Sequence, residues 1–572
     1  MDGRHQRRQL VPLEQPDLGI PAATPPRPGD GSGARLQFHS PSTAVSSSKR
    51  VLGIVGFALI AFHLVGGGPY GLELSASYAG PGPCFLAFVL LPLVWSLPQA
   101  LVTAELATLL PSNGGYVRWC TAAFGDLGGW IIGVNGGVGS VVDLALYPAL
   151  LVAYAEAAFG AAPLSATARF AARLAVVLTG SAVNMRGIVD VSNFSGAIVA
   201  AVAAPFAIAL AVRARDVWEG GWAWTSVNPH PRWSLWLASM LWAHSGWDSC
   251  GSFAGEVASP GKTYVRGSLL TMAFVFLTYA PPLLLAAQTT QRAAGEWTNG
   301  ALQEACAGAS PLLGAAASAG AVLSQLAMFT SGLSASSRAV WALAGGSRGG
   351  GGGATVAHLP RALAAEWGEA GVPGSSIAAH AAVVGVLSVL PFEALIQANS
   401  ALGAARILLE AASFLRLRAT APTAARPFRV PGGAAGALVV AAPIFVVALL
   451  VAVLTDRAVW LGVLALQAAA LAVFFARAAE DARRAHGWWP RGKWNLATDA
   501  DRRFAVAGAK SPIDDAVTSA ARAAFAISAA TEDGSGTFEA GRRRRPLTAV
   551  NASSADGDGG AADAHSGSSA DI

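Results

Sequence analysis

Long apolar runs recur along the chain, and short polar stretches separate them. A transmembrane helix needs about 20 mainly apolar residues, and runs such as 272–288 and 434–454 contain no charged side chain. The pattern predicts twelve spans, at 51–79, 84–110, 128–159, 168–184, 188–212, 233–257, 266–288, 311–344, 374–391, 393–415, 433–455 and 457–478. The gap between the ninth and tenth spans, at 391–393, is so short that a total of eleven or thirteen spans stays open. The predicted fold class is all-α and integral to the membrane, with about 12 transmembrane helices.

Composition supports a membrane protein. Of the 572 residues, 13% are charged and 53% hydrophobic, and the mean hydropathy is +0.47; soluble proteins carry about 25% charged residues. The lipid bilayer is therefore the expected surrounding, and no basic–aromatic interleave indicates a nucleic-acid partner. The cysteines lack CxxC spacing, so we expect single packing residues, with no metal and no cofactor. They are Cys84, Cys120, Cys250 and Cys306.

The two ends of the chain differ from its apolar middle. Residues 1–48 and 488–572 are rich in glycine, serine and charged residues. This composition predicts disordered tails around a transporter domain at 49–487, and the absence of an apolar run in 1–48 argues against a cleaved signal peptide. An even number of spans puts both tails on the side where loop Lys and Arg concentrate. The positive-inside rule then predicts cytoplasmic tails, and we expect the plasma membrane rather than an organelle membrane.

Two predicted spans are interrupted. The first contains Gly66-Gly67-Gly68-Pro69-Tyr70-Gly71, and the sixth contains Ser245-Gly246-Trp247-Asp248. Glycine and proline destabilise a helix by about 1 and 3 kcal/mol per residue, and freed backbone groups at membrane depth must be buried in protein or line a cavity. Interruptions in spans one and six are expected of two five-helix inverted repeats with a binding site between them. A glycine-rich packing seam is the alternative.

Ionisable residues inside predicted spans are functional candidates because an intramembrane charge is costly. Asp143 could neutralise a cationic substrate, carry a proton or form a structural hydrogen bond. Asp248 could take part in proton coupling or cap the following half-helix. Glu73 and Glu410 are further candidates for proton coupling or gating. His244 would titrate near physiological pH, with a structural hydrogen bond as its alternative role.

Other function classes find less support. Gly261-Lys262-Thr263 resembles the end of a phosphate-binding loop, but Glu256 occupies the position of the first glycine, which disfavours ATP-driven transport. Neither paired metal ligands nor a nucleophile–base spacing indicates an enzyme. A channel suits the two interruptions less well than a closed site near the membrane midplane.

Several motifs between 51 and 480 occur in the order found in one family. The chain resembles the amino acid–polyamine–organocation superfamily, and within it the plant and protist polyamine-uptake branch. The segments that carry the resemblance are Gly67-Gly68-Pro69-Tyr70-Gly71-Leu72-Glu73, 95–106, Pro111-Ser112-Asn113-Gly114-Gly115-Tyr116-Val117, 143–148, Trp247-Asp248-Ser249, Ala254-Gly255-Glu256-Val257, Pro260-Gly261-Lys262-Thr263 and Arg426-Pro427-Phe428-Arg429-Val430-Pro431. The resemblance implies a LeuT-type fold of five plus five inverted helices and two more. It also implies secondary transport, expected to be proton-coupled, with substrate between helices 1, 3, 6, 8 and 10.

Some positions depart from the branch. Leu64, Ala153 and Gly332 stand where the branch tends to carry acids, and Gly246 is smaller than its usual counterpart. A desolvated polycation needs several counter-charges. Amino acids therefore join polyamines as expected substrates.

The leading hypothesis is a secondary active transporter of amine-bearing metabolites that works by alternating access. The polar ends of the substrate would lie against the interruptions, and Asp143 would be the counter-charge to an amine. The expected binding residues are Gly66, Gly67, Gly68, Tyr70, Asp143, His244, Ser245, Gly246 and Trp247. The rival hypothesis is an amine or amino-acid sensor that binds without productive flux.

Overall fold

A computed structural model describes residues 50–159, 164–290, 292–346, 358–368 and 371–486. The tails predicted at 1–48 and 488–572 lie outside the described residues. Within the described chain every regular element is a helix. The first eight α-helices are α1 Ile54–Val65, α2 Leu72–Ala79, α3 Pro81–Leu91, α4 Leu97–Leu109, α5 Tyr116–Phe159, α6 Ala166–Met185, α7 Ile188–Val212 and α8 Ala214–Glu219. The others are α9 Trp233–Trp242, α10 Pro260–Thr290, α11 Ala301–Ala307, α12 Pro311–Leu343, α13 Gly374–Leu387, α14 Phe392–Thr420, α15 Gly433–Leu454 and α16 Arg457–His486.

Each predicted apolar span coincides with a helix or a broken helix. Eight of the described helices are long and apolar enough to cross a membrane, counting α3 and α4 as one because the π-helical turn Pro92–Ser96 joins them. Two shorter apolar helices are α1 and α13. Leucine, valine and phenylalanine side chains cover much of the outer surface of these helices, as expected for contact with lipid. The chain is a multi-pass membrane protein.

Both predicted interruptions are non-helical. The first separates α1 from α2, where Gly67 and Gly68 have φ of +67° and +121°. The second follows α9, and Gly246 has φ of +108°. Because these angles suit glycine and few other residues, the glycines permit the sharp change of direction that ends each helix.

The second interruption differs from the prediction in one respect. The sequence predicts that the broken span continues as a helix from Phe253, with a cap as one of the roles open to Asp248, but Ser249–Glu256 forms a 3₁₀ helix, and Phe253 itself has non-helical angles. The first turn carries i→i+3 bonds, as in Ser249 N–H to Gly246 O at 3.1 Å. The Asp248 side chain makes no capping hydrogen bond, so the structure does not bear out capping as its role, and its part in proton coupling stays a prediction. The reason for the missing cap is a charged partner from another helix, described below.

The central helix α5 packs most extensively against α12 and α14, and α1 lies between α7, α10 and α12. All four cysteines are buried and free, as predicted. One end of the bundle holds buried ion pairs that join distant helices, and we call it the arginine-rich end. Its pairs are Arg338–Glu256 at 2.7 Å, Arg418–Glu105 at 2.5 Å and Arg426–Glu105 at 3.2 Å.

Candidate binding site between the two interruptions

A cavity of about 60 Å³ lies between the end of α1, the second interruption, α5, α12 and α14. The end of α1 and the second interruption form one side of it. Its lining is Leu64, Val65, Tyr116, Ser140, Asp143, Leu144, Tyr147, Trp242, Ser245, Gly246, Ser249, Met328, Gly332, Ser336, Asn399 and Arg406. The volume corresponds to roughly four to six water-sized spheres, so this conformation holds only a small ligand.

The second interruption touches the end of α1 directly. A Cβ atom at Gly246 would collide with the carbonyl oxygen of Leu64 and would lie 3.5 Å from the Cα of Val65. Only glycine permits this approach together with the positive φ. The unwound segment after α9 is therefore pressed against the last turn of α1, and carbonyl groups near the end of α1 are freed from helical bonding.

The first interruption is held by side chains of neighbouring helices. The Ser324 hydroxyl on α12 donates to the carbonyl of Gly67 at 2.6 Å, and the Tyr70 hydroxyl donates to the carbonyl of Ala317 at 2.9 Å. Near the start of α2, the Glu73 carboxylate accepts from the N–H of Gly71 at 3.0 Å and from the Tyr154 hydroxyl at 2.9 Å. Backbone groups that lack helical partners thus gain others.

The second interruption is clamped by the π-helical turn between α3 and α4. Trp95 Nε1 donates to Ser245 Oγ at 2.9 Å, and Ser96 Oγ donates to the carbonyl of His244 at 3.0 Å. Trp247 Nε1 donates to that same carbonyl at 3.1 Å. A π turn displaces side chains relative to a regular helix and is frequent at functional sites. Here it carries both side chains that fix Ser245 and His244.

Asp143 faces the cavity and is held by neutral donors. Trp242 Nε1 and Asn399 Nδ2 each donate to Oδ1 at 3.0 Å, and the Tyr147 hydroxyl donates to Oδ2 at 2.8 Å. A carboxylate offers about four acceptor positions, so three donors leave one for a ligand. The carboxylate is fixed in orientation without being neutralised by a bonded cation.

A second charged group, Arg406 on α14, lines the same cavity. It forms an ion pair with Asp248, and its guanidinium carbon lies 5.5 Å from the centre of the Tyr116 ring. One turn further along α14, Glu410 is fully buried and accepts from the Thr103 hydroxyl at 2.9 Å. Asp248 therefore serves as a partner to Arg406 rather than as a helix cap.

The structure brings together some of the sequence-predicted site residues. Asp143, Ser245 and Gly246 line the cavity. The three glycines of the first interruption do not: a Cβ at Gly66 would meet Tyr279, one at Gly67 would meet Met328, and one at Gly68 would meet Val202. These glycines pack against α10, α12 and α7.

The lining also excludes the aromatic candidates, His244 and every acidic candidate except Asp143. Tyr70 packs edge-on to Tyr154, with ring centres 5.6 Å apart, and Trp247 is 1% exposed. Nδ1 of His244 lies within hydrogen-bond distance of the carbonyl oxygen of Met240, at 2.8 Å, which is the structural alternative weighed for this residue. Asp248, Glu73 and Glu410 are buried behind the lining.

Sequence reasoning missed the groups that complete the cavity, namely Arg406, Asn399, Tyr147 and Trp242. Arg406 could have been found, because the argument that an intramembrane charge is costly applies to cations as well as to acids. The two uncharged positions Leu64 and Gly332 also line the cavity. The departures from the polyamine-uptake branch at these two positions therefore fall in the lining.

Comparison with known proteins agrees with this architecture. A sequence model of amino acid permeases matches residues 56–462. The chain belongs to the amino acid permease family. This permease is 32% identical over 403 residues to the polyamine transporter PUT1 of Oryza sativa subsp. japonica, covering 69% of the chain and 72% of the relative. It is 32% identical over 413 residues to a probable polyamine transporter of Arabidopsis thaliana, covering 72% and 83%. It is also 30% identical over 408 residues to the polyamine transporter RMV1 of Arabidopsis thaliana, covering 71% and 80%.

Proposed function

We propose that this permease is a secondary active transporter of small amine-bearing metabolites, polyamines or amino acids, that works by alternating access. One observation carries the proposal. A carboxylate held by three neutral donors faces a cavity at the junction of two interrupted helices. Half-helix ends and a fixed counter-charge at such a junction are the elements with which transporters hold charged substrates.

The proposed arrangement is a LeuT-type bundle of five plus five inverted helices and two more, giving twelve spans. Supporting it, the helix breaks occur in the first and sixth apolar spans. Both tails are proposed to be cytoplasmic because an even number of spans puts them on one side of the membrane, the side on which loop lysines and arginines concentrate. The proposed membrane is the plasma membrane.

Substrate would enter the cavity with an ammonium group on Asp143. The lining of Ser245, Gly246 and the end of α1 offers hydroxyl and backbone groups to its remaining polar atoms. Rearrangement of the two interruptions would then open the opposite side. Their unwound segments are the natural hinges, because a few non-helical residues absorb the change in φ and ψ.

Coupling to a proton fits the buried charges behind the cavity. Arg406 pairs with the buried carboxylate of Asp248, and a second buried carboxylate, that of Glu410, lies one turn further along α14. An uncompensated charge in a low-dielectric interior is strongly disfavoured, so a proton on this cluster would bring it close to neutrality. Glu73, fully buried with only neutral hydrogen-bond partners, is the second candidate. If the cluster around Arg406 carries the proton, a pH gradient should no longer stimulate uptake by Glu410→Gln. Exchange of substrate across the membrane should be retained in that variant.

An amine or amino-acid sensor remains the second candidate function. The cavity is compatible with it, because a ligand held beside Asp143 can be bound without being carried across the membrane. A sensor would bind an amine without flux. Binding and uptake measured on the same preparation therefore separate the two functions.

The test is uptake by the purified full chain in liposomes. Labelled putrescine, spermidine, arginine and alanine are compared with and without an inward proton gradient, against protein-free liposomes. Uptake of at least one amine by the wild type is expected. Asp143→Asn keeps the shape and removes the charge, so uptake should fall roughly 10- to 150-fold, the equivalent of a charge-assisted hydrogen bond.

A matched control is Asp190→Asn, which makes the same change in an exposed ion pair with Arg186. It should leave uptake unchanged, because exposed pairs contribute little. If the folded wild type binds an amine but takes up none, the transporter hypothesis is rejected in favour of the sensor hypothesis. Full uptake by Asp143→Asn would remove its counter-charge role.

A further inference from the structure

The cavity carries one charge of each sign. Among the described residues that line it, Asp143 is the one acid and Arg406 the one base. The Arg406 side chain is 11% exposed and pairs with Asp248 through Nε. A guanidinium stays protonated in proteins, so this positive charge is permanent.

The guanidinium has capacity left for a ligand. In the described chain no hydrogen bond occupies Nη1 or Nη2 of Arg406, whereas Nε is directed to Asp248. The planar fork of an arginine matches a carboxylate with two parallel hydrogen bonds. The guanidinium carbon lies over the Tyr116 ring, 5.5 Å from the ring centre, and this cation–π contact favours that position of the fork.

The guanidinium of Arg406, which reaches α5 from α14, lies about one turn of α5 away from Asp143. Nη1 of Arg406 is 3.9 Å from the position of a Cβ on Gly139, and Gly139 precedes Asp143 by one helical turn, about 6 Å of rise. The cavity of about 60 Å³ leaves room for a small ligand only. A ligand that satisfies both charges needs an ammonium and a carboxylate a few atoms apart.

We infer that Arg406 determines specificity and that the cavity selects a small zwitterionic amino acid over a polyamine. This inference rests on the proposed transport function and names its substrate class. A polyamine bound to Asp143 would bring its second ammonium toward the guanidinium, where like charges repel. An amino acid would place its ammonium on Asp143 and its carboxylate on Arg406.

The experiment uses substrates that differ by one carboxylate. Uptake of alanine, ornithine and putrescine by the wild type in liposomes is measured in direct competition; ornithine and putrescine differ only in the carboxylate. The expected order is alanine, then ornithine, then putrescine. If the wild type takes up putrescine in preference to both amino acids, the inference is overturned and the transport proposal still stands. If it takes up none of the three compounds, the transport proposal itself is contradicted.

Variants then assign the preference to Arg406. The double variant Arg406→Gln with Asp248→Asn removes both charges of the pair, so neither carboxylate nor guanidinium is left buried alone. The ratio of ornithine to putrescine uptake should fall roughly 10- to 150-fold, the value of a charge-assisted hydrogen bond. Arg406→Lys retains the charge and should retain part of the preference. An unchanged ratio of ornithine to putrescine uptake in a folded double variant overturns the inference. If that variant does not fold, the inference is tested by the order of uptake in the wild type and by the same ratio in Arg406→Lys.

Discussion

Replacing Gly246 by alanine tests the contact between the second interruption and the end of α1. Gly246 has φ of +108°, and a Cβ there would collide with the backbone carbonyl of Leu64. A non-glycine residue in such a conformation costs about 1–3 kcal/mol, and overpacking against a rigid neighbour costs about 1–3 kcal/mol more. The expected destabilisation of Gly246→Ala is therefore roughly 2–6 kcal/mol.

Two further glycine variants make this prediction specific. Gly67 also has a positive φ, but a Cβ there would meet the flexible side chain of Met328, so Gly67→Ala should destabilise less. A Cβ on Gly462, in α16, would have no atom within 4 Å, and Gly462→Ala should be neutral or stabilising by about 0.5–1 kcal/mol. Among the purified variants in detergent, Gly462→Ala should have the highest unfolding temperature and Gly246→Ala the lowest. Gly246→Ala should also lose uptake. Equal unfolding temperatures and normal uptake for Gly246→Ala would refute the close contact.

Two other substitutions test what holds the bundle around the site. Arg418→Gln removes one of the two arginines paired with the buried Glu105 and leaves Arg426 in place, so it should destabilise by about 1.5–3 kcal/mol, the value of a hydrogen bond to a charged group. Arg215→Gln breaks an exposed pair and should change thermal stability by no more than about 1 kcal/mol, so equal effects of the two would contradict a buried pair. Ser324→Ala removes the donor to the carbonyl of Gly67 and should cost about 0.5–1.5 kcal/mol in detergent unfolding; no change would mean that another group satisfies this carbonyl.

Much of the fold followed from the sequence because lipid imposes strong constraints. Helix α7 begins and ends where the apolar run 188–212 does, and α15 ends one residue before its predicted boundary. Glycine and proline located the interruptions, since they oppose helix formation wherever they cluster. These signals are local, so a single chain reveals them.

The site was harder to predict because it depends on contacts between distant segments. Local reasoning made Asp248 a helix cap, but packing of α14 supplied Arg406 as its partner. Gly66 to Gly68 were expected at the substrate, yet their lack of side chains lets them pack against α7, α10 and α12. Which backbone groups face a cavity is decided by tertiary packing, which no periodicity encodes.

The most direct test of the account is an electron cryo-microscopy structure of the permease with its transported amine bound. The account predicts ligand density between residues 64–65 and 245–249, with the ammonium of the ligand on the carboxylate of Asp143. Ligand density elsewhere in the bundle, with an empty cavity and Asp143 still held by its three donors alone, would contradict it.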